Sequence, residues 1–176
     1  LDKDRNAMFL ECINMVLDIW AGEAPYNLKG DYFEVSTERT MLPDIGQGSI
    51  IKPYQDPHPP IVGTVVAPFS KGVTAMAARG WEPISANFLL PKWVKTHWPN
   101  YAEGCELGGR AAEAANWRIA KNICVADDMK TAKQYARGEN SPYVLYYRQL
   151  LTKLKDSGRL NLFKEDQEMS DDEVTL

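Results

Sequence analysis

The stretch IVGTVVAPFSKGVTAMAARG, residues 61–80, contains the pattern that decides the fold. Residues 61–66 are nearly all apolar and rich in β-branched side chains, which is typical of a strand buried on both faces. A helical pattern follows over residues 70–79 and stops at Gly80. A buried strand that leads directly into a helix is the basic unit of a parallel sheet with crossover helices.

The same alternation of strand and helix continues along the chain. It favours either an open doubly wound sheet or part of a (β/α)8 barrel. In both folds ligands bind at the C-terminal ends of the strands, here residues 66–71, 85–90 and 125–128. Pro99 is expected to kink or divide one of the helices. The predicted elements are strands over residues 81–86 and 117–126, and helices over residues 91–107, 129–137 and 142–155.

The first part of the chain follows a different pattern. Apolar residues recur at three- and four-residue intervals over residues 4–21, which predicts an amphipathic helix ending at Gly22. Residues 30–35 predict a short strand after a turn. Prolines and glycines interrupt residues 43–60, which predicts a loop. We therefore expect residues 22–60 to form an excursion within a single domain that covers the whole chain.

Composition argues against several function classes. The formal net charge of −4 argues against a general nucleic-acid binder. No apolar run approaches the roughly 18–20 residues that a membrane-spanning helix needs. The three cysteines and two histidines show no metal-ligand spacing, so we expect reduced thiols, a cytoplasmic location and no metal. Ser170 and Glu173 have the spacing of a helix capping box near the end of the chain, which leads us to expect a piece of a longer protein.

Several segments resemble the bacterial luciferase-like flavin-dependent monooxygenases, in particular their limonene-monooxygenase-like branch. The segments LDIWAGEAP (17–25) and GDYFEV (30–35) are similar to the helix and hairpin in the middle of that family's chains. The order and spacing of the segments carry the resemblance, rather than any single motif. The other matching segments are PPIVGTVVAPFSKGVTAMAARGWEPISANF (59–88), HWPNYAEGC (97–105), WRIAKNICVADD (117–128) and TAKQYA (131–136).

The resemblance implies a (β/α)8 barrel about twice as long as this chain, of which residues 1–176 would be the C-terminal half. It also implies a two-component reaction. Reduced flavin, usually FMN, is supplied by a separate reductase and reacts with O2 to oxidise a small organic substrate. The family's usual catalytic histidine lies in the first half of the barrel, so no catalytic residue is assigned in this chain.

The residues that end the first strand are the predicted flavin-binding residues. Ser70 stands where a helix begins, and the backbone N–H groups behind it, with the Lys71 charge, can receive an anion. The resemblance implies that Ser70 contacts the flavin phosphate; in the alternative, Ser70 only caps its own helix. Ala67 and Pro68 fit a close approach of the backbone to the flavin ring, and Phe69 is expected to pack on it. In the alternative, these three residues only shape the backbone at the end of the strand.

The end of the second strand supplies the predicted substrate-binding residues, Ser85 and Asn87. Small and amide side chains there can line the edge of the flavin or the substrate pocket, although Asn87 can instead cap the next helix. His97 lies among aromatic residues on a helix, on the side of a barrel away from the strand-end rim, and is expected to be packed or hydrogen-bonded. Asp127 or Asp128 is expected to cap the helix that follows them.

Two other functions stay open at this point. A non-catalytic half-barrel with a structural or assembly role would keep the fold without binding flavin. A phosphate-binding barrel enzyme of the aldolase type is disfavoured, because the expected lysine at a strand end is missing. The unpaired strand edges of half a barrel predict self-association, so we expect a homo-oligomer.

Overall fold

The computed structural model describes residues 4–175 and divides them into two compact units, one ending at Pro60 and one beginning at Ile61. The single domain expected for the whole chain stays a prediction. In the first unit, helix α1 (Arg5–Ala21) begins after Asp4 and ends at Gly22, as predicted. Residues 43–60 contain a single turn of 3-10 helix and no strand, which confirms the predicted loop.

A two-stranded antiparallel hairpin follows α1, with β1 (Asn27–Lys29) paired to β2 (Glu34–Ser36). The strand predicted over residues 30–35 is therefore wrong in its first part, because residues 30–33 form the turn of the hairpin. The Glu11 carboxylate replaces the strand hydrogen bonds there. It accepts hydrogen bonds of 2.8–2.9 Å from the N–H groups of Asp31, Tyr32 and Phe33.

A parallel three-stranded sheet forms the base of the second unit. Its strands are β3 (Val62–Val65), β4 (Glu82–Ser85) and β5 (Arg118–Ile119), in the order β3-β4-β5. Helix α2 (Lys71–Ala78) connects β3 to β4, and helices α3 (Pro91–Lys95) and α4 (His97–Leu107) connect β4 to β5. The predicted α/β class with parallel strands is confirmed.

The side chains of β3 are buried on one face only. Val65 belongs to a core cluster with residues of α2 and α4, whereas Val62 and Thr64 on the opposite face are exposed. The expectation that this strand is buried on both faces is wrong, because α2 and α4 pack on the face of Val65 and leave Val62 and Thr64 exposed. The members of the cluster are Val65, Val73, Ala77, Tyr101 and Cys105.

Strand β5 ends much earlier than the sequence pattern predicts. The strand expected over residues 117–126 is formed only at Arg118–Ile119, and the predicted remainder is wrong. Ile123 and Val125 are 75% and 88% exposed rather than buried. Strand β5 pairs with β4 along one edge, and within residues 4–175 no strand pairs with its other edge to extend the ladder.

The break between α3 and α4 falls at Thr96 rather than at Pro99. The proline ring would clash with the carbonyl of Lys95, four residues earlier, so a continuous helix is excluded there. Pro99 itself lies in the first turn of α4, where its missing N–H is not needed. The break makes His97 the first residue of α4.

Helices α2 and α4 pack closely at Gly104, which is buried. A Cβ atom added there would lie 2.6 Å from the Ala77 Cβ and would overlap the Thr74 carbonyl group. The glycine therefore allows the two helix backbones to approach each other. This close approach supports the contact between the first turn of α4 and the chain that enters α2.

Helices α5 (Met129–Arg137) and α6 (Pro142–Asp156) complete the second unit and lie where they were predicted. The Asp128 carboxylate accepts a hydrogen bond from the Thr131 N–H at 2.8 Å, which confirms Asp128 as the cap of α5. Leu154 in the last turn of α6 packs with Leu160 and Leu162, which follow the helix, in a second small core.

Candidate functional site

The turn between β3 and α2, residues 66–70, contains the predicted flavin-binding residues. Phe69 has a φ of +53°, a left-handed conformation that residues with a side chain rarely adopt. Its side chain is 61% exposed, and its ring centroid lies 5.8 Å from that of Trp93. Ala67 and Pro68 are half-buried beside it. Backbone strain of this kind is concentrated at binding and catalytic sites.

Three side chains from the α3–α4 junction hold this turn, and we call them the α4 clamp. Together they bind one N–H group and two carbonyl groups of the turn. The turn is therefore fixed by side chains that lie about thirty positions further along the chain. The three bonds run from Phe69 N–H to Thr96 Oγ1 (2.8 Å), between His97 Nε2 and the Ala67 carbonyl (2.8 Å), and from Asn100 Nδ2 to the Ser70 carbonyl (3.0 Å).

His97 also makes a hydrogen bond through its other ring nitrogen. Its Nδ1 atom lies 2.8 Å from Ser85 Oγ, which accepts a hydrogen bond from Trp117 Nε1 at 3.0 Å. The side chains of His97 and Ser85 are fully buried. Desolvation by burial lowers the pKa of His97 below its ordinary value, although the bond to Ala67 opposes this shift. The prediction that His97 is packed or hydrogen-bonded is confirmed, whereas its expected position away from the strand-end rim is wrong, because the ring bonds the Ala67 carbonyl there.

The two predicted substrate-binding residues lie in different environments. Ser85 is buried and uses its hydroxyl between His97 and Trp117, so the side chain does not reach the surface at the strand ends. Asn87 is half-buried, and its Nδ2 donates to Asn122 Oδ1 at 3.1 Å. The substrate role of both residues stays a prediction.

The alternative role of Asn87 as a helix cap is wrong. Helix α3 begins with Pro91, and the N-cap position is occupied by Leu90. Asn87 instead links the end of β4 to the segment that follows β5. Its partner Asn122 in turn donates from Nδ2 to the Tyr147 hydroxyl on α6 at 3.1 Å.

Ser70 occupies the N-cap position of α2, but its side chain makes no capping hydrogen bond. The alternative in which Ser70 only caps its helix therefore lacks the bond it requires. The first N–H groups of an α-helix have no partner within the helix. A Cβ atom at Gly72 would lie 3.3 Å from Ser70 Oγ, so the glycine leaves space beside the hydroxyl. The Ser70 hydroxyl, the first N–H groups of α2 and the space beside them can together accommodate a phosphate oxygen.

Lys71 adds a positive charge at this helix start, and that charge is paired. Its Nζ lies 3.1 Å from Glu103 Oε2 and 3.4 Å from Asn100 Oδ1. The hydrogen bond from Lys71, followed by one from Thr74, lowers the pKa of Glu103. Both members of the ion pair are exposed, so their attraction is weakened by water. The Lys71 ammonium therefore lies beside Asn100, whose amide also bonds the Ser70 carbonyl, and it remains exposed.

Sequence reasoning missed the clamp residues Thr96 and Asn100 and the amide of Asn122. No short motif connects them with residues 67–70, because the contacts run between separate helices and strands. The one available signal was Pro99, because a proline interrupts the helix before it and a new helix then begins close to Thr96.

Among residues 4–175, no helix combines the length and apolar character needed to cross a membrane. In the same range, no group of three or more His, Cys, Asp or Glu side chains is arranged to share a metal ion.

Comparison with known proteins adds independent evidence. The family model described as luciferase-like monooxygenase matches residues 2–173. Comparison with curated protein sequences gives no match. The chain is similar to the solved structure of the oxygenating constituent of 3,6-diketocamphane monooxygenase from the CAM plasmid of Pseudomonas putida, a type II Baeyer-Villiger monooxygenase in complex with FMN. The TM-score is 0.73 at 19% identity, over 99% of this chain and 47% of that chain.

A second similar structure is the monooxygenase RslO1 from Streptomyces bottropensis, with a TM-score of 0.61 and 17% identity over 90% of this chain and 44% of that chain. The chain therefore spans less than half the length of these two solved structures. At such identities the likeness concerns the fold, and it agrees with part of a luciferase-like barrel.

Proposed function

This chain belongs to the luciferase-like monooxygenase family, and on that premise we propose that it is the C-terminal half of a flavin-dependent monooxygenase barrel. In this proposal the protein uses reduced FMN from a separate reductase, together with O2, to oxidise a small organic substrate. The turn at residues 67–70 holds the cofactor. The three cysteines remain thiols, which supports the cytoplasmic location that we also propose.

The uncapped start of α2 is the observation that carries the proposal. The Ser70 hydroxyl is not used as a cap, and Gly72 leaves space beside it. A phosphate oxygen at this position would accept hydrogen bonds from the hydroxyl and from the first N–H groups of α2. Lys71 lies one residue further on and would add charge.

The residues before Ser70 offer an apolar surface for the flavin ring. Phe69 is largely exposed and is held in one orientation by its backbone and by Trp93. Ala67 and Pro68 present small side chains, which permits a flat ring to approach the backbone. An apolar wall of this kind helps to exclude water from the reacting part of a cofactor.

The oxidative chemistry would be supplied by the flavin, and this chain would bind and orient it. Asn87 lies at the end of the neighbouring strand and is our candidate for a substrate contact. Ser85 contributes indirectly through His97, because its own hydroxyl is buried.

Anaerobic titration with reduced FMN tests the proposal, using the full-length protein that contains this chain. Riboflavin, which lacks the phosphate, is the matched control ligand. We expect saturable changes in flavin absorbance and fluorescence with FMN and clearly weaker binding of riboflavin. Unchanged spectra with both ligands at high protein concentration would refute flavin binding. Equal affinity for both ligands would refute the phosphate role of Ser70.

The second candidate is a non-catalytic half-barrel with a structural or assembly role. The exposed face of β3 favours it, as does the edge of β5 that pairs with no strand within residues 4–175, because such surfaces associate readily. This candidate predicts stable self-association without any response to reduced FMN in the same titration.

A further inference from the structure

A chain of hydrogen bonds leads from Trp117 through the buried side chains of Ser85 and His97 to the backbone of the candidate site, and we call it the buried relay. Its three links are between 2.8 and 3.0 Å long. It ends on the carbonyl group of Ala67, two residues before the strained Phe69.

The chemistry of the two ends fixes the direction of the two outer hydrogen bonds, and a neutral imidazole then fixes the direction of the middle one. The indole of Trp117 can only donate, so Ser85 Oγ accepts there. The Ser85 hydroxyl then donates its own hydrogen to His97 Nδ1. The carbonyl of Ala67 can only accept, so His97 Nε2 carries a hydrogen. A neutral imidazole with its hydrogen on Nε2 satisfies all three links.

We propose that His97 is a positioning residue that orients the Ala67 carbonyl and thereby sets the flavin-facing side of the turn at residues 67–70. The inference rests on the proposed function for its ligand, whereas the geometry of the relay is independent of it. Burial of His97 lowers its pKa, which agrees with a neutral ring.

The orientation of the Ala67 carbonyl affects the conformation of the turn because of the residues that follow it. Pro68 has a fixed φ and no N–H group, so it cannot form a compensating backbone hydrogen bond. Phe69 and Ser70 are tied separately to Thr96 and Asn100. Loss of the His97 bond would therefore free the strand side of the turn, and the adjacent bond from Phe69 N–H to Thr96 would open more often.

A matched pair of substitutions distinguishes a positioning role of His97 from a role in packing alone. In His97→Gln, the longer amide side chain can carry its N–H group to the position of Nε2 and still donate to Ala67. In His97→Asn, the shorter amide can reach Ser85 but not Ala67. Both variants replace the buried ring with a neutral amide, so their general effects on the core are similar.

Reduced-FMN affinity of the full-length protein is the first readout. We expect His97→Asn to weaken binding about tenfold, as for the loss of one net hydrogen bond. His97→Gln should stay within about threefold of the unchanged protein. Equal affinities of the two variants would overturn the proposal and leave His97 as a packing residue.

Two further measurements do not depend on flavin binding. Nitrogen-15 NMR of the histidine rings should identify the Nε2–H tautomer for His97, and an Nδ1–H tautomer would contradict the relay. Amide hydrogen exchange at Phe69 should be faster in His97→Asn than in His97→Gln. If the unchanged protein does not bind FMN, the proposed function fails, and the exchange comparison alone decides whether His97 orients the turn.

Ser85→Ala provides a second variant in case His97→Asn does not fold. It removes the hydroxyl that donates to Nδ1 and keeps the imidazole in place. We expect the Nε2–H tautomer to persist, because Ala67 still accepts its hydrogen, and a loss of FMN affinity smaller than that of His97→Asn. Unchanged FMN affinity together with unchanged amide exchange at Phe69 would refute the relay.

Discussion

His97 Nε2 lies 2.8 Å from the carbonyl oxygen of Ala67, although the two residues are 30 positions apart. The bond connects the first residue of α4 to the end of β3, across the surface where α2 begins. It means that the strand-end turn is shaped by a neighbouring helix as well as by its own sequence.

Ser70→Ala is expected to weaken binding of reduced FMN by about tenfold to a hundredfold, as for the loss of a hydrogen bond to a charged group. The free energy of unfolding should change by less than about 0.5 kcal/mol, because Ser70 makes no capping bond. Calorimetric titration and chemical denaturation measure the two effects. Unchanged FMN affinity would remove Ser70 from the cofactor site.

Ser141→Ala is the matched control for this substitution. The Ser141 hydroxyl accepts hydrogen bonds from the Tyr143 and Val144 N–H groups at the start of α6. Its loss should lower the free energy of unfolding by about 1 kcal/mol and leave FMN affinity unchanged. Substitution of Ser70 should therefore weaken FMN binding with little effect on stability, and substitution of Ser141 should lower stability with no effect on FMN binding.

Thr96→Val should loosen the strained turn. It removes the oxygen that accepts the Phe69 N–H and donates to the Trp93 carbonyl at 2.6 Å. We expect faster amide hydrogen exchange at Phe69 and a loss of about 1 kcal/mol in the free energy of unfolding. Thr152→Val on α6, which removes a bond to the Arg148 carbonyl, is the control and should leave Phe69 exchange as it was.

Gly104→Ala should separate α2 from α4. The added methyl group would overlap the Thr74 carbonyl and lie 2.6 Å from the Ala77 Cβ. We expect a loss of about 1–3 kcal/mol in the free energy of unfolding, measured by chemical denaturation. Glu106→Ala, on the exposed side of the same helix, should cost less than about 0.5 kcal/mol. Equal effects of the two substitutions would contradict the close helix contact.

The buried imidazole of His97 predicts a dependence of stability on pH. Because its pKa is lowered in the folded state, the unfolded chain binds more protons below about pH 6.5. The free energy of unfolding should therefore fall as the pH drops from that value towards the folded pKa. The His97→Gln variant lacks the titrating ring, so its free energy of unfolding should change less with pH. Parallel curves for both proteins would contradict the shift.

One edge of β5 pairs with no other strand in the described part of the chain, which predicts self-association of the isolated chain. Light scattering should give a mass above the 19.8 kDa of one copy, increasing with concentration. A charged substitution at the exposed edge residue Ile119, such as Ile119→Lys, should reduce the association. A monomer at all concentrations would contradict this prediction.

Much of the second unit could be predicted from short stretches of sequence. The apolar run at β3, the periodicity of α6 and the Asp128 cap depend on residues within a few positions of one another. The length of β5 could not be predicted in this way. A strand is maintained by its neighbours, and Ile123 and Val125 have β-forming side chains without a partner strand among the described residues.

The candidate site shows the same division between local and long-range effects. The local sequence predicts the strand-to-helix junction, with Ser70 at the helix start and a glycine two residues later. These features depend on backbone preferences and nearest neighbours. The left-handed Phe69, the unused Ser70 hydroxyl and the bond between His97 and Ala67 depend on contacts between residues about thirty positions apart. Those contacts form because α4 begins just before Pro99 and packs on α2 at Gly104, and neither condition can be read from the residues of the turn.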